Sequence, residues 1–303
     1  MFIQRKNRYQ WIALFICFFI ITGCGKSESN NDRINDENPE VMIEKVSDDF
    51  DSYEGYEIKR SYNYTTPLLN HEDGKITGMN NINEETIVQG IHKENQSYQW
   101  TKGEGTTKER STNSDEYSSE NNYLIDRVYK YTKNSYAYLS IQNDGNAFKL
   151  SSYQNAENNN ANNATGNDYK NYFTFYNDYK DYFDIKKEQI DGKTNITLFC
   201  KDLKGYQEAF FGKVNHIFED AVAYPNAAYQ KVEYVYTIDE NNQLIKFECH
   251  EEFEFEKDLI AKTDIIDTIQ KKNVTFDVNK IDLIMDEAKN GVIKEGDEID
   301  WIM

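Results

Sequence analysis

"KVEYVYTIDENNQLIKFECHEEFEFE", residues 231–256, holds two alternating runs on either side of a polar turn at 239–242. Side chains of an extended chain alternate between two faces, so period two reads as strand, and two such runs around a turn read as an antiparallel hairpin. In the second run Ile245, Phe247, Cys249, Phe253 and Phe255 point inward. Glu248, His250, Glu252, Glu254 and Glu256 share the opposite face. Oxygen ligands on one strand face suit calcium. A row of like charges on one face of an antiparallel sheet is the ordinary mark of a solvated surface, and it is read so here.

Outward from this hairpin the pattern repeats. Upstream, "IKKEQIDGKTNITLFCKD" (185–202) reads as a hairpin turning at Asp191-Gly192. "YEIKRSYNY" (56–64) alternates Tyr56, Ile58, Tyr62 and Tyr64 against polar residues. Further strands are expected at 86–91, 96–102, 115–125, 127–132 and 137–150, separated by Gly, Asn and Asp clusters, and downstream at 260–269 and 274–278. Met42, Ile43, Val46, Phe50 and Tyr53 recur at helical spacing, as do Tyr206, Phe210, Val214 and Phe218 within a helix over 205–221. "NDYKNYF" and "NDYKDYF", starting at 167 and 177, put Tyr169, Tyr172, Phe173, Tyr176, Tyr179 and Phe183 on a helical stripe, the ordinary signal of a face packed on a sheet. A short helix ends near Gly291. Residues 154–167 are Asn-rich and low in complexity, and read as a loop. The sum is an α+β fold, a large curved antiparallel sheet with a few helices packed on one side.

The N-terminus carries an address. Arg5, Lys6 and Arg8 precede an apolar block at 11–21, too short to span a bilayer comfortably. A basic start, a short apolar core and small residues after it are the grammar of an export signal. Within it, Ile21-Thr22-Gly23-Cys24 resembles a bacterial lipobox. That resemblance implies cleavage before Cys24 and a diacylglycerol on its thiol, hence a lipid anchor. Residues 25–40 are polar and nearly free of apolar side chains, a tether. The expected organisation is a signal peptide at 1–23, a tether at 24–40 and one domain at 41–303.

Loss of the leader removes three basic residues and no acidic one, which carries the net charge from −19 to −22. Such a surface excludes nucleic acid as a partner and gives no attraction to anionic head groups, so the covalent lipid does the holding. Beyond Cys24 the exported chain has Cys200 and Cys249. Both sit on inward strand faces; they either bridge or stay free as small hydrophobes. With no CxxC and no Cys/His cluster, neither a structural zinc nor another cofactor is expected. Nor does the chain contain GxSxG, HExxH, a P-loop, GxGxxG or an EF-hand loop, and His71, His92, His216 and His250 lack ligand spacing. No catalytic residue is assigned and the chain is read as non-enzymatic.

The lipobox and tether, the strand run around "NNYLIDRVYKYTKN" (121–134), and the hairpins at 185–202 and 234–256 together resemble the lipoproteins of low-GC Gram-positive bacteria with a LolA/LppX-like half-barrel. The resemblance spans about residues 45–280. It implies a curved sheet cupping an apolar or amphiphilic ligand on the extracytoplasmic face of the membrane, and carries over no site residue but Cys24. Phe247, Phe253 and Phe255, on the inward face of the second run, are the candidate ligand contacts. The other reading is a surface module with a filled core that binds protein or cell-wall polymer.

Overall fold

The computed structural model describes residues 38–51, 53–69, 75–93, 96–111, 116–132, 135–143, 147–157, 178–214, 228–256 and 259–301. Its centre is one antiparallel sheet of twelve strands. The first meander runs through β1 (Gly55–Leu69), β2 (Ile76–Lys93), β3 (Gln96–Ser111), β4 (Tyr117–Thr132), β5 (Ser135–Asn143) and β6 (Phe148–Glu157). The second runs through β7 (Phe183–Ile190), β8 (Lys193–Cys200), β9 (Ala228–Ile238), β10 (Leu244–Glu256) and β11 (Leu259–Lys271). β11 returns to pair with β1, and a short β12 (Glu298–Ile299) pairs with β6. The order is therefore β12-β6-β5-β4-β3-β2-β1-β11-β10-β9-β8-β7, open at both edges.

Local chemistry fixes the hairpins. Asp191 and Gly192 take φ of 52° and 76° between β7 and β8, the left-handed pair that a two-residue turn requires. Between β9 and β10, Asp239 Oδ1 accepts from the Asn241 and Gln243 amides while Asn242 adopts φ 63°. Asx-type bonds of this kind pin the register of the quoted hairpin.

Register divides the side chains between two faces. On the front face Tyr56 and Ile58 of β1, Ile265 and Ile269 of β11, Phe247 and Cys249 of β10, and Tyr234 and Tyr236 of β9 form one core with two helices. α1 (Pro39–Asp51) contributes Met42, Ile43, Val46 and Phe50; α2 (Leu203–Val214) contributes Tyr206 and Phe210. Within it, Asp267 is 0% exposed and takes two hydrogen bonds of 2.8 Å from the Arg60 guanidinium. The bidentate pairing offsets the desolvation of both charges. On the back face Tyr98, Trp100, Val128, Leu139 and Leu150 pack against Val278, Ile281, Ile284 and Met285 of α3 (Val278–Lys289).

The helices thus lie on both faces, which corrects the expectation of a single covered side. Val88 of the front core stands opposite Thr101, so Trp100, one residue away, must point backwards. Each half of so wide a sheet packs its helices and main core on one face only.

Other expectations shift. Residues 117–125 and 127–132 belong to one strand, β4, while 137–143 lie in β5 and 148–150 in β6. β1 to β4 run 15 to 18 residues, through Asn- and Glu-rich stretches read as breaks. Cross-strand bonds carry them: Thr65 to Asn81 at 2.6 Å and Thr106 to Asn122 at 2.8 Å. Residues 272–277 are not a strand; they lead to Asp277, which caps α3 by accepting from the Asn279 and Lys280 amides. Gln154 to Glu157 lie in β6 rather than in a loop, and the rest of the Asn-rich stretch falls outside the described residues. So do the leader, Cys24, and Tyr169 to Tyr176 of the aromatic stripe. The end of that stripe is a 3₁₀ turn, Lys180–Tyr182, flanked by Tyr179 and Phe183, which are buried core residues.

Candidate functional site

β10 has two chemically distinct faces. On the back face its polar residues are paired, either across strands or along β10 itself. Glu252 meets Lys262 at 2.8 Å, Glu248 meets Lys246, His250 Nδ1 lies 2.7 Å from Asp264, and Glu254 accepts from Gln230 at 3.0 Å. Among the described residues no group of three or more His, Cys, Asp or Glu is arranged to hold a metal ion.

The candidate rings lie on the front face. Phe247 is 6% exposed, stacked on Tyr234 at 6.1 Å and tilted against Tyr236 at 5.3 Å. Phe253 meets Tyr229 edge-on at 4.9 Å, and Phe255 meets Phe253 edge-on at the same distance. Tyr229 in turn packs on Tyr206 of α2 at 5.4 Å. Phe247 and Phe253 are thus joined to the front core.

Glu251 lies between Cys249 and Phe253 on this face, a position the alternating pattern assigns to the core and sequence reading passed over. Burial pushes its carboxyl up to about 7, although the Tyr234 hydroxyl, donating at 2.5 Å, pulls the other way. The Tyr206 and Tyr234 hydroxyls beside it are driven well above the usual phenol range, first by burial and then by neighbouring negative charge.

Cys200 and Cys249 are free thiols. Cys249 stands opposite Tyr234, and Tyr234 opposite Leu198, so β9 separates the two cysteine strands. Two strand spacings of about 4.8 Å exceed the ~7 Å Cα separation that a disulfide spans. Burial pushes the Cys200 thiol up to about 11, so it stays protonated and unreactive at neutral pH.

A second constellation lies on the front face past β2. The register places Thr101, Arg127 and Ser140 side by side on β3, β4 and β5, with Gln99, Tyr129 and Tyr138 in the next row. Tyr129 stacks on Tyr131 at 5.9 Å and packs on Tyr138 at 4.9 Å. Glu84 of β2 accepts from the Tyr123 hydroxyl at 2.8 Å and lies 4.0 Å from Arg127 Nη2. Tyr123 reaches it by crossing Gly105, where a Cβ would stand 2.5 Å from the ring. Burial acts to lower the Arg127 pKa, but Tyr129, Tyr138 and Glu84 outweigh it, and the guanidinium stays charged. Sequence reading ended a strand at 125 and began another at 127, which hid the parity linking Tyr123, Arg127, Tyr129 and Tyr131.

A depression of about 450 Å³ lies between the end of α3 and β6, lined by Leu150, Tyr153, Ala288, Ile293, Lys294 and Glu295 among others. None of Phe247, Phe253 or Phe255 lines it.

No family model matches the chain, and no curated protein matches it. Among solved structures it is similar to a porin-like protein from Bacteroides uniformis, at 9% identity and a TM-score of 0.17 over 73% of this chain and 98% of that one. No helix among the described residues is long and apolar enough to cross a membrane.

Proposed function

We propose that the chain is a non-enzymatic lipoprotein, held at the extracytoplasmic face of a bacterial membrane by lipid on Cys24, whose open sheet is a half-barrel that binds an amphiphile. The observation that carries the reading is Ile21-Thr22-Gly23-Cys24, set directly after a basic start and a short apolar block. The wide antiparallel sheet, covered by helices over only part of each face, supports a binding surface of the half-barrel kind. Ligand contact is placed on the Arg127 side of the front face, because Phe247 and Phe253 are engaged in the core. That same engagement favours a second reading for the β7–β11 half: a filled scaffold presenting its polar back face to a protein or a wall polymer.

Cys24→Ala tests the anchor. The variant should lose incorporation of labelled fatty acid and fail to be processed at this position, while the wild type is labelled and retained in membranes. Equal labelling of both removes the lipoprotein reading.

A further inference from the structure

Arg127 and Gln99 are two hydrogen-bond donors that the fold, among the described residues, leaves without adequate acceptors. A guanidinium offers five N–H groups in a planar fork. The acceptor in reach of Arg127 is Glu84 Oε1, at 4.0 Å, beyond hydrogen-bond distance. That oxygen takes its hydrogen bond from Tyr123 instead. Gln99 is the independent observation. It is 1% exposed; its Oε1 accepts from Tyr131 at 3.4 Å, and its Nε2 is buried with no partner. Buried donors are paired in nearly all folded proteins, so each exception asks what pairs with it. Gln99 is the diagonal neighbour of Arg127 across β3 and β4, close enough for long side chains to converge on one ligand. Tyr129 and Tyr138 border the pair with ring surface.

We infer that this part of the front face holds the oxyanion head of an amphiphile, a phosphate or carboxylate, on the Arg127 fork and the Gln99 amide, with its apolar body against Tyr129 and Tyr138. The inference names the ligand chemistry of the function proposed above and rests on it. A forked guanidinium matches two oxygens of one phosphate or carboxylate, which an ammonium does not. Glu84 weakens the positive field here, and the chain as a whole carries −19. Charge alone therefore does not retain a bare ion, and the rings must supply part of the binding.

The test is calorimetric titration of the full chain in a non-ionic detergent. Dihexanoyl phosphatidate and octanoate serve as anionic amphiphiles, dihexanoylglycerol as the neutral one, and inorganic phosphate as the bare ion. The anionic amphiphiles should bind. Arg127→Gln should weaken them at least tenfold, and Arg127→Lys should restore only part of the loss. Glu84→Gln, which keeps an acceptor for Tyr123, should strengthen them severalfold; where Arg127→Gln does not fold, this second variant decides between the outcomes. Equal binding of dihexanoylglycerol, unmoved by either substitution, overturns the oxyanion site and leaves the amphiphile reading standing. Phosphate binding as tightly as phosphatidate, with the same Arg127 dependence, keeps the fork and overturns the amphiphile. Binding of none of the four overturns both.

Discussion

At the β7–β11 end of the sheet, rings meet rings. Tyr206 touches Tyr179, Phe183, Phe210 and Tyr229 within 5.8 Å, and the polar groups it encloses, Glu251 among them, are costly to charge. At the β3–β6 end, polar groups fasten the rings. Asp126 accepts from the Trp100 indole at 2.7 Å and from the Trp301 indole at 3.2 Å; Asp282 accepts from Tyr98 and pairs with Lys130 at 2.6 Å. One core depends on burial and the other on directed bonds to fewer residues. The first should respond to pH near neutrality, and the second to loss of a single anchor.

The largest effect is expected at the smaller core. Trp100 meets Trp301 and Phe276 edge-on at about 6 Å, and Lys102 Nζ lies 3.5 Å from the Trp100 ring centroid. Trp100→Ala removes all of these and one donor to Asp126, at a cost of about 3–5 kcal/mol. Because β1 joins both meanders in one sheet, the loss should be global in chemical denaturation. Amide exchange should then accelerate in β10 as well as in α3. Exchange confined to α3 and β4–β6 would show that the two cores unfold independently.

What sequence conveyed, and what it withheld, follows from the same contrast. The hairpin at 231–256 was legible because apolar and polar residues alternate through most of it; a bulge between Leu244 and Lys246 nonetheless puts Leu244, and not the expected Ile245, in the core. Also legible were α1, whose apolar spacing is helical, and the Asp191-Gly192 turn. The long strands β2 and β4 were read as fragments, since their Asn- and Glu-rich stretches carry little apolar periodicity and are held by cross-strand bonds between polar side chains. That Arg127 shares a face with Gln99 and Tyr138 depends on register among three strands, and no local pattern encodes it. The helix at 278–289 was read only at its end, and its place on the back face depends on the parity of Trp100 and Leu139.

Glu251 carries the pH contrast. Its ordinary value is 4.5, and in the folded chain burial raises it to about 7. Between these values the folded state holds a proton that the unfolded state has released, so this group's contribution to stability falls as pH rises from 4.5 to 7. Above about 7 the penalty is complete, and about 3 kcal/mol is its ceiling. Glu251→Gln does not titrate and still accepts from Tyr234. The variant should therefore gain on the wild type as pH rises, being the more stable protein at about pH 8. A wild-type-minus-variant difference that stays flat from about pH 5 to 8 would place Glu251 in water rather than in the core.

One residue on, the same substitution should do almost nothing. Glu252 points to the back face and pairs with Lys262 at 2.8 Å, with side chains 34% and 51% exposed. Solvent screens such a pair, and ordering two long side chains offsets much of the attraction, so it contributes at most about 0.5 kcal/mol and less in high salt. Glu252→Gln should lower stability by no more than that, with the loss vanishing near about 1 M NaCl. Glu251 and Glu252 are identical in chemistry and adjacent in sequence; the strand's period of two sets one among tyrosines and the other in solvent. A loss at Glu252 above about 1 kcal/mol, insensitive to salt, would mean that the back face of β10 is covered, and the division of the sheet into a wet and a buried face at this end would have to be redrawn.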